Sequence, residues 1–263
     1  MNNPVDSIAS SFVEAWQFDR HIENLPAKVE DLDQAYMVQE RFTSMRGVQT
    51  CGWKIAATNI AGQKHINVTH PLAGRLFVDR IYQSPAQLLL RANRMKVIEA
   101  EFTFRIGSEF NPGDRKLSRD QVMERVDGLF PAIEIPDSRF IDFVSAGAPA
   151  LVADNACARE FVLGPEVTGR WREIALERYD VFVFRNGEKV VQGQGRDVLG
   201  DPRDALTWLV NDRLDRGIAL QAGELVTTGV VGTPVAINAG DQILADFGLL
   251  GKVSLRFADL PDQ

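Results

Sequence analysis

Three glutamates stand where a carboxylate must either do chemistry or be compensated. In Val97-Ile98-Glu99-Ala100-Glu101-Phe102-Thr103-Phe104-Arg105-Ile106, apolar and polar residues alternate with period two. On a strand this sets Ile98, Ala100, Phe102, Phe104 and Ile106 on one face. Glu99 and Glu101 share the other face with Thr103 and Arg105, about 7 Å apart at Cα. A second run, Phe130-Pro131-Ala132-Ile133-Glu134-Ile135-Pro136, holds Glu134 between isoleucines. An ionised carboxylate there is costly unless a cation meets it. One hard cation such as magnesium would explain all three, because it takes oxygen ligands and keeps positions for water or substrate. The competing reading leaves Glu99 and Glu101 on a solvated face and Glu134 in a structural ion pair. Lys54, in Cys51-Gly52-Trp53-Lys54-Ile55-Ala56-Ala57, also has apolar neighbours. Either it snorkels to water, or a pocket desolvates it and lowers its pKa toward acid–base use.

Other chemistry is thinner. The two cysteines, Cys51 and Cys157, lie far apart in no metal spacing, and there are only three histidines, His21, His65 and His70. This argues against zinc and for carboxylate ligands. Gly193-Gln194-Gly195 with Gly200 lacks both the spacing and the βαβ setting of a dinucleotide site. His65 and His70 fall in a polar stretch that reads as surface loop. Cys157 reads as core packing and Asp154 as structural support.

The elements that must position these residues follow from periodicity. Ile8, Phe12, Val13 and Trp16 recur at helical spacing after Pro4, and a second helix runs from about Glu30 to Arg46 before Gly47. Short strands are expected at 52–56, 96–106, 132–135, 161–163, 179–185, 189–193, 225–228, 242–247 and 252–257. Asn186-Gly187 marks a hairpin. Ser118 with Gln121 forms a capping box, and Asp201-Pro202 opens another helix. Helices first, then unevenly spaced strands, predict an α+β fold. A boundary near residue 80 would separate an N-terminal helical cap, 1–80, from a β-rich body, 81–263.

The 263 residues are 45% hydrophobic and 25% charged, ordinary for a globular enzyme, with a net charge of −7. That charge repels a phosphate backbone, so nucleic acid is not expected as a partner. No apolar run reaches membrane-spanning length, and the acidic N-terminus does not read as a secretory signal; the expected location is the cytoplasm.

A longer ordered set carries a resemblance. It runs Gly52-Trp53-Lys54, Gly74-Arg75-Leu76-Phe77, Ile98-Glu99-Ala100-Glu101, Pro131-Ala132-Ile133-Glu134 with Ser138-Arg139, and Ala153-Asp154-Asn155-Ala156. It continues through Gly193-Gln194-Gly195-Arg196, Leu199-Gly200-Asp201-Pro202, Thr228-Gly229 and Val235-Ala236-Ile237-Asn238-Ala239-Gly240-Asp241. The chain resembles the 2-keto-4-pentenoate hydratase and 4-oxalocrotonate decarboxylase family of the fumarylacetoacetate hydrolase superfamily. The resemblance implies a fumarylacetoacetase-like β-rich roll, and Mg²⁺ or Mn²⁺ on Glu99, Glu101 and Glu134. It implies Lys54 as the catalytic acid–base group, a small 2-keto acid as substrate, and a homo-oligomer. Thr228, before a glycine-rich turn, is the candidate for holding substrate.

The chain departs from the family pattern at Leu72, where hydratases usually carry an acid used in water addition. Leu72 would instead line a drier pocket. Ala56-Ala57-Thr58 replaces the usual Gly-Leu-Thr, and Cys157 a serine. The leading expectation is a metal-dependent hydratase or decarboxylase working through an enolate. The alternatives are an acylpyruvate-type C–C hydrolase, with His65 or His70 activating water, and a non-catalytic metal-binding partner subunit.

Overall fold

The computed structural model describes residues 3–114 and 116–258. Helix α1 (Pro4–Gln17) starts where the Asn3 side chain accepts the Val5 N–H, with proline in the first turn. Helix α2 (Leu32–Arg46) is capped by Asp31 and ends at Gly47 in the left-handed conformation. Their buried faces carry Ile8, Phe12 and Trp16, and Tyr36, Gln39 and Phe42. The Gln39 amide donates to the carbonyls of Ala73 and Val152, tying α2 to two segments far apart in sequence.

The larger sheet contains β1 (Thr50–Ala56), β2 (Leu72–Phe77), β3 (Ile81–Gln83), β5 (Val97–Ile106), β6 (Val126–Ile135), β7 (Glu160–Leu163) and β10 (Leu225–Val230). Their order is β2-β1-β10-β5-β6-β7-β3, and β11 (Val235–Ala236) pairs with β5. The second sheet uses β4 (Ala86–Leu89), β8 (Asp180–Arg185), β9 (Glu188–Gln194), β12 (Gln242–Asp246) and β13 (Lys252–Ala258). It is ordered β4-β13-β12-β8-β9. At the β8–β9 hairpin, Asn186 and Gly187 both take positive φ, 53° and 84°, as a tight primed turn requires. The Ser118–Gln121 capping box opens α4 (Arg119–Glu124), and Asp201 caps α6 (Pro202–Asp215). The α+β class and the N-terminal helices are as expected.

The sheet does not respect a division at residue 80. Strands β1 and β2 pair with each other, and β1 pairs in parallel with β10, so residues 50–77 are built into the larger sheet. One hydrophobic core runs from Ile8 to Phe257 across that position. Strands β2, β3 and β4 and helices α3 (Ile60–His65) and α5 (Gly147–Ala153) have no counterpart in the sequence reading. Strand β2 is buried on both faces, which removes the alternation that would reveal it.

Trp16 on α1 is ringed by arginines. The guanidinium carbons of Arg46, Arg139 and Arg159 lie 4.6, 4.7 and 4.9 Å from its ring centroid. Such stacking is favourable where the cation is desolvated. Arg139 is fully buried, and its Nε stands 2.9 Å from Asp154 Oδ1. Among the described residues, no helix is long and apolar enough to cross a membrane.

Candidate metal centre and substrate cavity

The register of β5 against β6 assembles the carboxylates. Glu99 lies directly opposite Glu134, and Glu101 lies two residues along β5 on the same face. One oxygen from each of the three falls within 4.8 Å of the others. Glu101 and Glu134 are fully buried and Glu99 partly so, which removes the solvated-face reading for Glu101, while the ion pair expected of Glu134 is present with Lys54.

Strand β10, inserted between β1 and β5, supplies the partners of Glu101. Its Oε2 accepts the Thr227 hydroxyl and, at 2.7 Å, the Gly229 N–H. Gly229 has φ 101°, and a Cβ there would lie 2.0 Å from Thr58 Oγ1, so only glycine lets this backbone approach the carboxylate. Glu101 Oε1 and Glu134 Oε1 are buried without a hydrogen-bond partner. Buried carboxylate oxygens left open at a three-oxygen cluster are what a hard cation would fill, so these residues fit a divalent ion. Burial, aided by the charge on Glu99, pushes the Glu101 carboxyl up to about 8 against the opposing pull of Lys54 and Thr227. Burial likewise drives Glu134 well above the ordinary carboxylate range, with Lys54 opposing.

Lys54 points inward from β1. Its Nζ stands 3.1 Å from Glu134 Oε2 and donates to the Ala156 carbonyl at 3.2 Å. With a 2% exposed side chain it does not snorkel. Nor is its pKa lowered: burial opposes the charge, but Glu134, Glu99 and Glu101 together outweigh it and hold the ammonium above its usual range. Counting apolar neighbours in sequence missed the carboxylates across the sheet.

The acceptor carbonyl sits in an unusual turn. Asn155, Ala156 and Cys157 are consecutively left-handed, with φ of 55°, 48° and 60°. Left-handed backbone costs about 1–2 kcal/mol per non-glycine residue, so the surroundings must hold it. The buried Asn155 amide clamps Arg75, accepting its N–H at 2.6 Å and donating to its carbonyl at 3.0 Å. On the other side, Asp154 Oδ2 accepts the Ser138 hydroxyl at 2.7 Å and the Arg139 N–H at 2.8 Å. Burial pushes the Asp154 carboxyl up to about 6 while Arg139 pulls it down. Structural support is the role its contacts describe.

A cavity of about 260 Å³ opens over Lys54 and Glu99. Ile55, Ile66, Met95, Val97, Pro136 and Phe143 make much of its apolar wall. His65 is exposed, as a surface reading expects, but it ends α3 at this cavity, 6.2 Å from the Phe143 ring, rather than lying in a loop. His70 is outside the lining. Two expected substrate contacts are placed elsewhere. Thr228 is buried with its hydroxyl on the Phe102 carbonyl at 2.9 Å; strand alternation turns Thr227, its neighbour, toward Glu101. Leu72 is fully buried in the core opposite Ala56 and does not line the cavity. Thr227 and Gly229 were missed because sequence does not reveal the pairing register that puts them on the same sheet face as Glu101.

Cys157 touches the cavity, but burial pushes its thiol up to about 12; burial and Glu224 do the same for Cys51. The thiolate is the reactive form, so alkylation by iodoacetamide at pH 8 should run about a thousandfold slower than for a free cysteine. Mass spectrometry of the folded and the unfolded protein checks this. Rapid labelling of Cys157 in the folded chain would overturn the core-packing reading and make it a candidate nucleophile.

Comparison with known proteins agrees with this geometry. Residues 57–258 match the family model described as fumarylacetoacetate (FAA) hydrolase C-terminal. A 2-keto-4-pentenoate hydratase of Paraburkholderia xenovorans is 30% identical over 96% of this chain and 94% of its own. The 2-keto-4-pentenoate hydratase 1 of Dechloromonas aromatica is 34% identical over 88% and 87%. Among solved structures, the 4-oxalocrotonate decarboxylase from Pseudomonas putida G7, complexed with magnesium and adipate, has a TM-score of 0.85 at 26% identity, covering 96% of this chain and 97% of that one. On its sequence and its fold, the chain belongs to the fumarylacetoacetate hydrolase family, in the group of the 2-keto-4-pentenoate hydratases and 4-oxalocrotonate decarboxylases.

Proposed function

We propose that the chain is a divalent-metal-dependent lyase, a hydratase or decarboxylase, acting on a small 2-keto or 2-hydroxydienoic acid. The observation that carries this reading is the trio Glu99, Glu101 and Glu134, with open buried oxygens, beside Lys54 at the floor of a cavity. The hydratase relatives and the magnesium complex of the decarboxylase support it. The glutamates would hold Mg²⁺ or Mn²⁺. When bound, such an ion supplies Lewis acidity that stabilises negative charge growing on a keto oxygen.

The chain's own groups do the rest. Lys54 brings a fixed positive charge and a transferable proton to the cavity floor. The Ala156 carbonyl aims it. The apolar walls keep the substrate head out of bulk water, which strengthens each charge interaction. Strand β2 brings no carboxylate to the cavity, so in a hydration reaction His65 is the basic group placed to orient water. The reading includes a homo-oligomer in the cytoplasm; a solution mass at a multiple of 29.2 kDa tests the assembly.

The deciding assay offers the protein, with Mg²⁺, a 2-hydroxypenta-2,4-dienoate, 4-oxalocrotonate and an acylpyruvate. Turnover of either of the first two that stops on chelation is the expected result. Cleavage of the acylpyruvate alone would make it a C–C hydrolase. No turnover of any would leave the non-catalytic partner reading.

A further inference from the structure

Four arginines from separate elements meet on one indole. Arg46 ends α2, Arg80 precedes β3, Arg139 follows β6 and Arg159 precedes β7. Their guanidinium carbons lie 4.6, 5.7, 4.7 and 4.9 Å from the Trp16 ring centroid. The cluster shares no residue with the cavity over Lys54 or with the glutamate trio.

Carboxylates answer this charge only in part. Asp79 accepts from Arg46 Nη2 at 2.6 Å and lies 3.7 Å from Arg80 Nε. Glu160 stands 3.6 Å from Arg80 Nη1, too far for a good hydrogen bond. Asp19 accepts from Arg159 and, at 3.4 Å, from the exposed Arg91. Asp154 faces Arg139 through Nε. Among the described residues, Arg46 Nη1, Arg80 Nε, both Nη atoms of Arg139 and Trp16 Nε1 are buried and meet no acceptor. Desolvated donors are costly when unmet, and charged ones most of all. The cluster also repels itself: burial and the charges of Arg139 and Arg80 hold the Arg159 guanidinium below its usual range.

We propose that this cluster is a binding site for a small tetrahedral oxoanion of the phosphate or sulfate class, held by Arg46, Arg80, Arg139 and Trp16. Four separate groups with unmet donors match four oxygens, where a carboxylate offers two. Planar guanidiniums suit such oxygens because they donate in pairs. Entry is past Arg80, whose side chain is 21% exposed and whose two ion pairs are both long. Bound there, the anion ties α1 and α2 to the chain at β3 and β6. Its effect is on the seating of the N-terminal helices.

Calorimetric titration of the metal-free protein with sulfate, at constant ionic strength in a chloride buffer, should show one saturable site per chain. Acetate and chloride should bind at least about tenfold more weakly. Arg80→Met should weaken sulfate at least about tenfold. Trp16→Phe keeps a ring for the arginines and removes one N–H, so it should weaken sulfate about fivefold. Sulfate should raise the melting temperature of the unaltered protein more than that of Arg80→Met, which separates binding from the general stabilising action of the salt. No saturable binding, equal binding of acetate or chloride, or unchanged affinity in both variants would overturn the site. Binding lost in Lys54→Met but kept in Arg80→Met would place the anion in the cavity and overturn it too. Should Arg80→Met fail to fold, Trp16→Phe carries the test alone.

Discussion

Glu101→Gln should lower Mg²⁺ affinity by about 100-fold or more while leaving the fold intact. Losing even an outer partner of a metal ligand costs about 10–100-fold, and Glu101 would be a direct ligand. The amide oxygen of glutamine can still accept from Thr227 and Gly229, so the β5–β10 contact survives. The metal-free variant should even melt higher than the unaltered protein at neutral pH. It no longer carries a carboxyl that burial pushes up to about 8. Adding Mg²⁺ should raise the melting temperature of the unaltered protein strongly and that of the variant little, because only tight binding to the folded state stabilises it. Calorimetry and thermal melts with and without Mg²⁺ make the measurement. Equal Mg²⁺ affinity in both proteins would refute the centre.

Lys54→Met should separate binding from chemistry. Turnover should fall by about 100-fold or more, the scale of a lost acid–base group. Mg²⁺ affinity should stay level or improve, because a cation 3.1 Å from a Glu134 oxygen repels an incoming metal ion. Methionine fills a similar volume, so the core should tolerate it. A variant with near-normal turnover would reduce Lys54 to a counter-charge for Glu134. One that lost metal and activity together would point to a collapsed site.

How much of the molecule is legible in its sequence varies by element. The glutamate trio was legible because period two on β5 and the isoleucines around Glu134 are local signals. Helices α1 and α2, the Asn186-Gly187 turn and the Ser118 capping box were legible for the same reason. What depends on pairing was not. The insertion of β10 between β1 and β5 sends Thr227 rather than Thr228 to Glu101, and a register shift after Thr227 hides that parity. The raised pKa of Lys54 comes from glutamates on two other strands. Leu72 was assigned to a pocket by resemblance, but both faces of β2 are covered. Helix α5 lacks a side-chain cap and begins Gly-Ala-Pro, so it carries no start signal.

The left-handed turn at Asn155–Cys157 joins the N-terminal helix to the candidate centre by a chain of contacts. Trp16 stacks on Arg139, Arg139 faces Asp154, and Asp154 leads into the turn that aims the Ala156 carbonyl at Lys54. The turn is wound like a spring, and α1 is one end of the clasp that keeps it wound. Lys54 is thus held from two sides, by Glu134 across the sheet and by a carbonyl whose support reaches back to α1. The family model begins at residue 57, after both Trp16 and Lys54. The stretch that the family model matches thus excludes the lysine and the tryptophan that anchors its support, although the full-length relatives align across both.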